Sequence, residues 1–235
     1  MTEDIVMRLI DLEEKENPNI LDHKKFGWLL SRQSDEEKLE LENTYKLSYW
    51  SRYLLACYAG LSYEYLNQGL RYEKWIPCTD FCREYKFYLN KVLDDLPSYN
   101  SETVWRWVVI EEEGFEYLKN FVGKTIMTPQ FLSTSTYKNE SGYQRFFRIE
   151  TQKSNSSAKY ICPILGKSKA SEKEVLFKSN TVFEIIDYDN DTIYMKEYFS
   201  EKGSLILYEY FWNDNLIPYE IGVKLGYFKP ESPKF

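Results

Sequence analysis

At 235 residues, 43% of them apolar and 29% charged, the chain has the length and composition of one large domain able to bury a substantial core. Its net charge of −7 and pI of about 5.1 argue against a protein that coats nucleic acid or an anionic membrane by bulk electrostatics. Cys57, Cys78, Cys82 and Cys162 contain no Cys-x-x-Cys pair, and with His23 as the single histidine they leave no Cys/His zinc set and no convincing Ser-His-Asp or Cys-His arrangement.

The N-terminal half reads as helical. Ile5, Leu9 and Leu12 give residues 3–16 a helical spacing that stops before Pro18, and a second short helix is expected over 20–31. Ser34 followed by Glu37 has the spacing of a capping box, which starts a helix over 34–44. From Leu47 through Trp50, Leu54, Tyr58, Leu61 and Tyr65 the apolar residues recur at steps of three and four. They predict one continuous helix ending near Gly69. Phe81, Tyr85, Tyr88 and Val92 form another stripe, capped by Thr79 and Asp80 and closed before Pro97. Cys78 and Cys82 fall one helical turn apart, a spacing that means packing more often than a redox pair.

After Asn100 the texture turns strand-like, which sets the boundary between a helical part, 1–100, and a β-rich part, 101–235. Thr103–Ile110 is β-branched and aromatic with Arg106 in its middle, and an arginine inside such a strand needs a partner. A short helix over 112–121 leads through Gly123 to a turn at Pro129 and the stretch Phe131-Leu132-Ser133-Thr134-Ser135. Further strands are expected near 144–151, 159–165, 173–178, 181–188, 192–199, 204–211 and 219–225. The fold class is therefore α+β, N-terminal helices followed by a largely antiparallel β core.

Two features bear on chemistry. Glu172 and Glu174 flank Lys173, and in a strand residues i and i+2 share a face, so both carboxylates would point into one site. By itself a Glu-Lys-Glu tripeptide more often means a solvated surface; its order after Arg106 and the 131–135 stretch is what raises it. The second feature is charge, six Lys against two Glu between residues 151 and 180 in an otherwise acidic chain. Such lysines keep a loop soluble, seat a phosphate backbone, or face an acidic protein.

Together, Trp105-Arg106, Gly123-Lys124 leading into Phe131-Leu132-Ser133-Thr134-Ser135, and Ser171-Glu172-Lys173-Glu174-Val175-Leu176-Phe177 closely resemble the Arg / Ser-Thr-Ser / Glu-x-Glu pattern of mono-ADP-ribosyltransferases, including arginine-directed bacterial toxins and effectors. The resemblance covers about residues 100–190. It implies NAD as co-substrate, no metal, and four catalytic positions. Arg106 would hold the NAD pyrophosphate, Ser133 would orient Glu174 and the nicotinamide ribose, Glu174 would stabilise the charge that develops as nicotinamide leaves, and Glu172 would polarise or deprotonate the acceptor. It also implies cofactor contacts from Trp107 and Thr134 and a ring stacked on nicotinamide from Phe146 or Tyr143. Lys167, Ser168, Lys169 and Glu172 would face the acceptor.

Two departures from the family pattern stand out. Trp107 replaces the usual glycine after the arginine, and the turn Gly166-Lys167-Ser168-Lys169-Ala170-Ser171 lacks the aromatic often found there. The expected acceptor is a protein arginine ahead of RNA or DNA; plain NAD hydrolysis and an inactive binding copy of the fold are the alternatives. An inhibitor or antitoxin protein stands among the expected partners. No stretch approaches 18 uncharged apolar residues and the N-terminus has no basic n-region before an apolar run. The expectation is a chain without membrane insertion, cytoplasmic or delivered into a target cell without an N-terminal signal peptide.

Overall fold

The computed structural model describes residues 1–17, 33–71, 78–100, 102–108, 110, 112–138, 145–166, 171–199, 205–210 and 215–218, the last two segments by backbone only. The helix expected at 20–31 and the strand at 219–225 lie outside these residues. Helix α1 (Glu3–Glu16) buries Val6, Leu9 and Ile10 on one face. Helix α2 (Asp35–Tyr45) buries nothing, and its start is fixed by the predicted capping box. The Glu37 N–H donates to Ser34 Oγ at 3.2 Å and the Ser34 N–H to the Glu37 carboxylate at 3.1 Å.

The expected continuous helix from Leu47 is divided. Helix α3 (Tyr49–Cys57) is capped by Ser48, a π-helical turn occupies Tyr58–Ser62, and helix α4 (Tyr63–Arg71) follows. A π turn shifts the helical phase, so residues after it face differently from what an unbroken 3.6-residue period predicts. Nor does Gly69 end the helix, which runs on to Arg71. The glycine is there for space: a Cβ at Gly69 would stand 2.4 Å from Cys82 Sγ, on helix α5 (Asp80–Asp94), whose N-cap is Thr79 as predicted.

The strands are β1 (Thr103–Val108), β2 (Thr125–Thr128), β3 (Leu132–Ser135), β4 (Arg145–Glu150), β5 (Ala158–Tyr160), β6 (Glu174–Phe177), β7 (Thr181–Tyr188), β8 (Thr192–Tyr198), β9 (Leu205–Tyr210) and β10 (Asn215–Pro218). They form one sheet in the order β10-β9-β2-β7-β8-β4-β1-β3-β6-β5, antiparallel except for β2 with β9 and β4 with β8. Helix α6 (Glu112–Lys119) packs Phe115 and Leu118 into the sheet's own core. β2 and β10 have no counterpart among the expected strands. The strand expected over 159–165 stops at Tyr160, because Pro163 has no N–H for a ladder; Cys162–Leu165 instead form the helical turn α7. No helix among the described residues is long and apolar enough to cross a membrane.

Two apolar cores result among the described residues. One joins the helices to Phe131, Ile161, Ile164, Leu165 and Leu176; the other fills the sheet with Val104, Val108, Leu132, Phe147, Val175 and Phe177. Period-two alternation along β6 sends Leu176 to the helices and Val175 and Phe177 to the sheet core, so Glu174 shares the helical side with Leu176. Phe131 and Ser133 share that side in the same way. The site is thereby set at the seam between helices and sheet.

Gly69→Ala tests the close approach of α4 and α5. Alanine gains about 1 kcal/mol of helix propensity, but the clash with buried Cys82 costs roughly 1–3 kcal/mol. A net loss in denaturant unfolding that is recovered in Gly69→Ala/Cys82→Ala is expected; a stabilised single variant would show that the contact is not tight.

Candidate active site

The site opens where the β1–β3 ladder fails. β1 pairs with β4 along its whole length, Thr103 to Val108, but with β3 only at Trp105↔Ser135. Beyond that pair the Ser133 carbonyl is taken by a side chain, Arg106 Nη1 donating to it at 2.7 Å. The partner that an in-strand arginine requires is thus a strand carbonyl. β3 remains fully laddered to β6 on its other edge, Leu132 to Ser135 against Phe177 to Glu174.

This pairing places Ser133 and Glu174 diagonally across two strands on one face. Ser133 Oγ donates to Glu174 Oε1 at 2.6 Å, a short bond of the charge-assisted kind that fixes the carboxylate's rotation. The neighbouring Thr134 points the other way, 5% exposed, and its hydroxyl donates to the Val175 carbonyl at 2.7 Å. It ties β3 to β6 beneath the site.

Glu172 arrives by a different route from the one its spacing predicted. The strand begins only at Glu174; Ser171 and Glu172 form a short 3-10 turn, and Lys173 between the carboxylates takes the left-handed conformation with φ 48°. The turn is pinned to β3 by Ser135 Oγ donating to the Glu172 carbonyl (3.3 Å) and by the Thr136 N–H donating to the Lys173 carbonyl (3.1 Å). Both carboxylates nevertheless line one cleft of about 710 Å³, together with Trp105, Arg106, Trp107, Ser133, Thr134, Ser135 and Tyr137.

The opposite wall is helical, and sequence reasoning missed its role. Tyr58, Tyr63, Asn67 and Arg71, from the π turn and α4, complete the lining. Asn67 joins this wall to the strand side, its Oδ1 accepting from the Phe131 N–H (3.2 Å) and its Nδ2 donating to Tyr58 Oη (3.2 Å), while the Tyr58 and Phe131 rings meet edge to face at 5.5 Å. Burial pushes the Tyr58 phenol well up, against the Asn67 hydrogen bond; Glu174 pushes it up further, and Arg106 and Arg71 pull it down. A phenol that stays neutral and accepts from Asn67 keeps its own proton to donate. Asn67 and Arg71 are both buried in α4, next to Leu66 and Leu70.

Phe146 is not brought to the cleft. It pairs with Trp107 in the ladder, is 3% exposed, stands edge-on to Trp105 at 6.5 Å and lies beneath Lys138, whose Nζ is 4.3 Å from its ring centre. Tyr143, Lys167, Ser168 and Lys169 lie outside the described residues. Among the described residues no group of three or more His, Cys, Asp or Glu could hold a metal ion.

The arrangement offers a carboxylate anchored by a serine, a second carboxylate on an exposed turn, two arginines and a rim of aromatic rings. A model of the ADP-ribosyltransferase exoenzyme family matches residues 36–207. Among solved structures, the C3 exoenzyme of Clostridium limosum is 20% identical with a TM-score of 0.55, over 70% of this chain and 94% of that one. An ADP-ribosyltransferase of Clostridium botulinum is 16% identical with a TM-score of 0.56, over 72% and 97%. An ADP-ribosyltransferase toxin of Paenibacillus larvae is 18% identical with a TM-score of 0.54, over 75% and 95%. No curated protein matches the chain.

Asn67→Ala removes the bond from the Phe131 N–H that ties the helical wall to the strand side, together with the bond to Tyr58 within that wall, and leaves the buried Phe131 N–H unpaired, which costs about 1–3 kcal/mol. A loss of that size in denaturant unfolding is expected, and a loss below about 0.5 kcal/mol would show that the wall is held by packing alone.

Proposed function

We propose, from the premise that the chain belongs to the ADP-ribosyltransferase exoenzyme family and is an NAD-dependent mono-ADP-ribosyltransferase of bacterial toxin type, that its acceptor is an arginine side chain of a protein. The observation that carries this reading is the placing of Glu172 on the same cleft as the serine-anchored Glu174. A guanidinium must lose a proton as it attacks, and a carboxylate on an exposed turn can receive both its charge and that proton.

The cleft fits the co-substrate. Its volume lies within the range of about 300–1,000 Å³ usual for small-molecule sites. Arg106 lines the cleft, and the planar fork of donors on a guanidinium is suited to the pyrophosphate. Trp107 supplies an apolar wall beside it, and Ser133 faces the nicotinamide ribose from a floor that Thr134 braces from below.

In the reaction the bond between ribose C1′ and the nicotinamide nitrogen breaks, its electron pair neutralising the pyridinium so that nicotinamide leaves uncharged. Glu174, held by Ser133, stabilises the positive charge that develops on the ribose, as a carboxylate does in glycoside hydrolysis. A guanidino nitrogen of the acceptor forms the new bond to C1′ and its proton passes to Glu172. With water in place of the acceptor the same first half gives free ADP-ribose. Removing Glu174 should therefore stop both outcomes, and removing Glu172 only the transfer.

Two measurements check this. With labelled NAD, Glu174→Gln should lose transfer and NAD hydrolysis, whereas Glu172→Gln should keep hydrolysis and lose transfer to protein. Equal loss of both activities in both variants would contradict the division of roles, and label released from a treated lysate by nuclease rather than protease would replace the protein acceptor by a nucleic acid. Arg106→Lys, which substitutes a point charge for a fork, should weaken NAD binding in calorimetry by about tenfold or more, since charge-assisted hydrogen bonds are worth about 1.5–3 kcal/mol.

A further inference from the structure

Resting on the arginine reading, we infer that Tyr137 is the residue that selects the acceptor, its ring face receiving the acceptor's guanidinium beside Glu172, and that Lys173 holds that seat until the acceptor displaces it. Tyr137 lines the cleft yet is 41% exposed, the reverse of the rings that form the cores. Its ring already carries a cation, Lys173 Nζ standing 5.4 Å from the ring centre. An ammonium over a tyrosine face marks a place where a positive group is favourable, and a guanidinium, planar and more weakly hydrated, is the better occupant of such a face.

Position relative to Glu172 is enforced by one hydroxyl. Ser135 Oγ accepts from the Tyr137 N–H at 3.5 Å and donates to the Glu172 carbonyl at 3.3 Å. The Thr136 N–H adds a bond to the Lys173 carbonyl at 3.1 Å. The backbones carrying the ring, the lysine and the carboxylate thus move as one unit, and a cation resting on the ring lies next to the group that would take its proton. The left-handed backbone at Lys173 carries the side chain out of the strand alternation and over the ring. Tyr63, the exposed ring on the helical wall, differs: its hydroxyl donates to Glu64 at 3.1 Å and its ring meets Tyr58 edge-on at 6.4 Å.

The test uses agmatine, a small guanidino compound, with the full chain and NAD, and reads the ratio of transfer to agmatine over hydrolysis of NAD, so that a general loss of activity cancels. A cation–π contact at a partly exposed ring corresponds to about a 3- to 30-fold effect on acceptor affinity. Tyr137→Ala should lower the ratio by that amount through a higher KM for agmatine, Tyr137→Phe should hold it, and Lys173→Ala should raise it by vacating the seat. An unchanged ratio in Tyr137→Ala, or a fall in Tyr137→Phe equal to that in Tyr137→Ala, overturns the inference while leaving the arginine reading intact. Wild-type protein that hydrolyses NAD but transfers nothing to agmatine overturns both.

Discussion

Ser133 is where three strands meet as chemistry. Its carbonyl accepts from Arg106 of β1, and its hydroxyl donates to Glu174 of β6, so one residue sets that guanidinium and that carboxylate in mutual register. Both bonds involve an ion and are worth more than neutral ones, about 1.5–3 kcal/mol each. They exist because the sheet is incomplete here. Had β1 and β3 continued their ladder past Trp105↔Ser135, main-chain donors would have claimed the Ser133 carbonyl and closed the cleft. The helices repair the other side through Asn67 and the Tyr58–Phe131 ring contact, which make the seam between two apolar cores a walled cleft.

What was legible in the sequence follows from how local each signal is. The Ser34–Glu37 box and the Thr79 cap depend on residues three apart and formed as read. The α+β order and the strand at 181–188 followed from patterns spanning a few residues. Arg106, Ser133, Glu172 and Glu174 were recognisable by type and order, and the structure gathers them on one cleft. Strand alternation accounts for the two glutamates only in part, because it assumes a strand at Glu172, and the left-handed Lys173 replaces it with a turn. No propensity scale anticipates a non-glycine residue at positive φ held by a distant Ser135 and Thr136.

The missed features share a cause: each is decided by a partner far away in the chain. Gly69 looked like a helix end and is a contact with Cys82 on the next helix. The π turn at Tyr58–Ser62 leaves the apolar composition untouched while shifting the phase of the helix after it, which carries Asn67, the acceptor for the Phe131 N–H. Phe146 had the right residue type for stacking on a nicotinamide, but its register opposite Trp107 buries it under Lys138.

If the Ser133 hydroxyl controls the chemical step by orienting Glu174, its removal should slow turnover without loosening the co-substrate. Ser133→Ala keeps the carbonyl that Arg106 uses and deletes only the bond to Glu174. Steady-state NAD hydrolysis with parallel calorimetry of NAD binding separates the two. The predicted result is a kcat lowered by about 10- to 100-fold, the range for losing one positioning hydrogen bond, with NAD affinity within about threefold of wild type. An unchanged kcat, or a loss confined to NAD affinity, would contradict it.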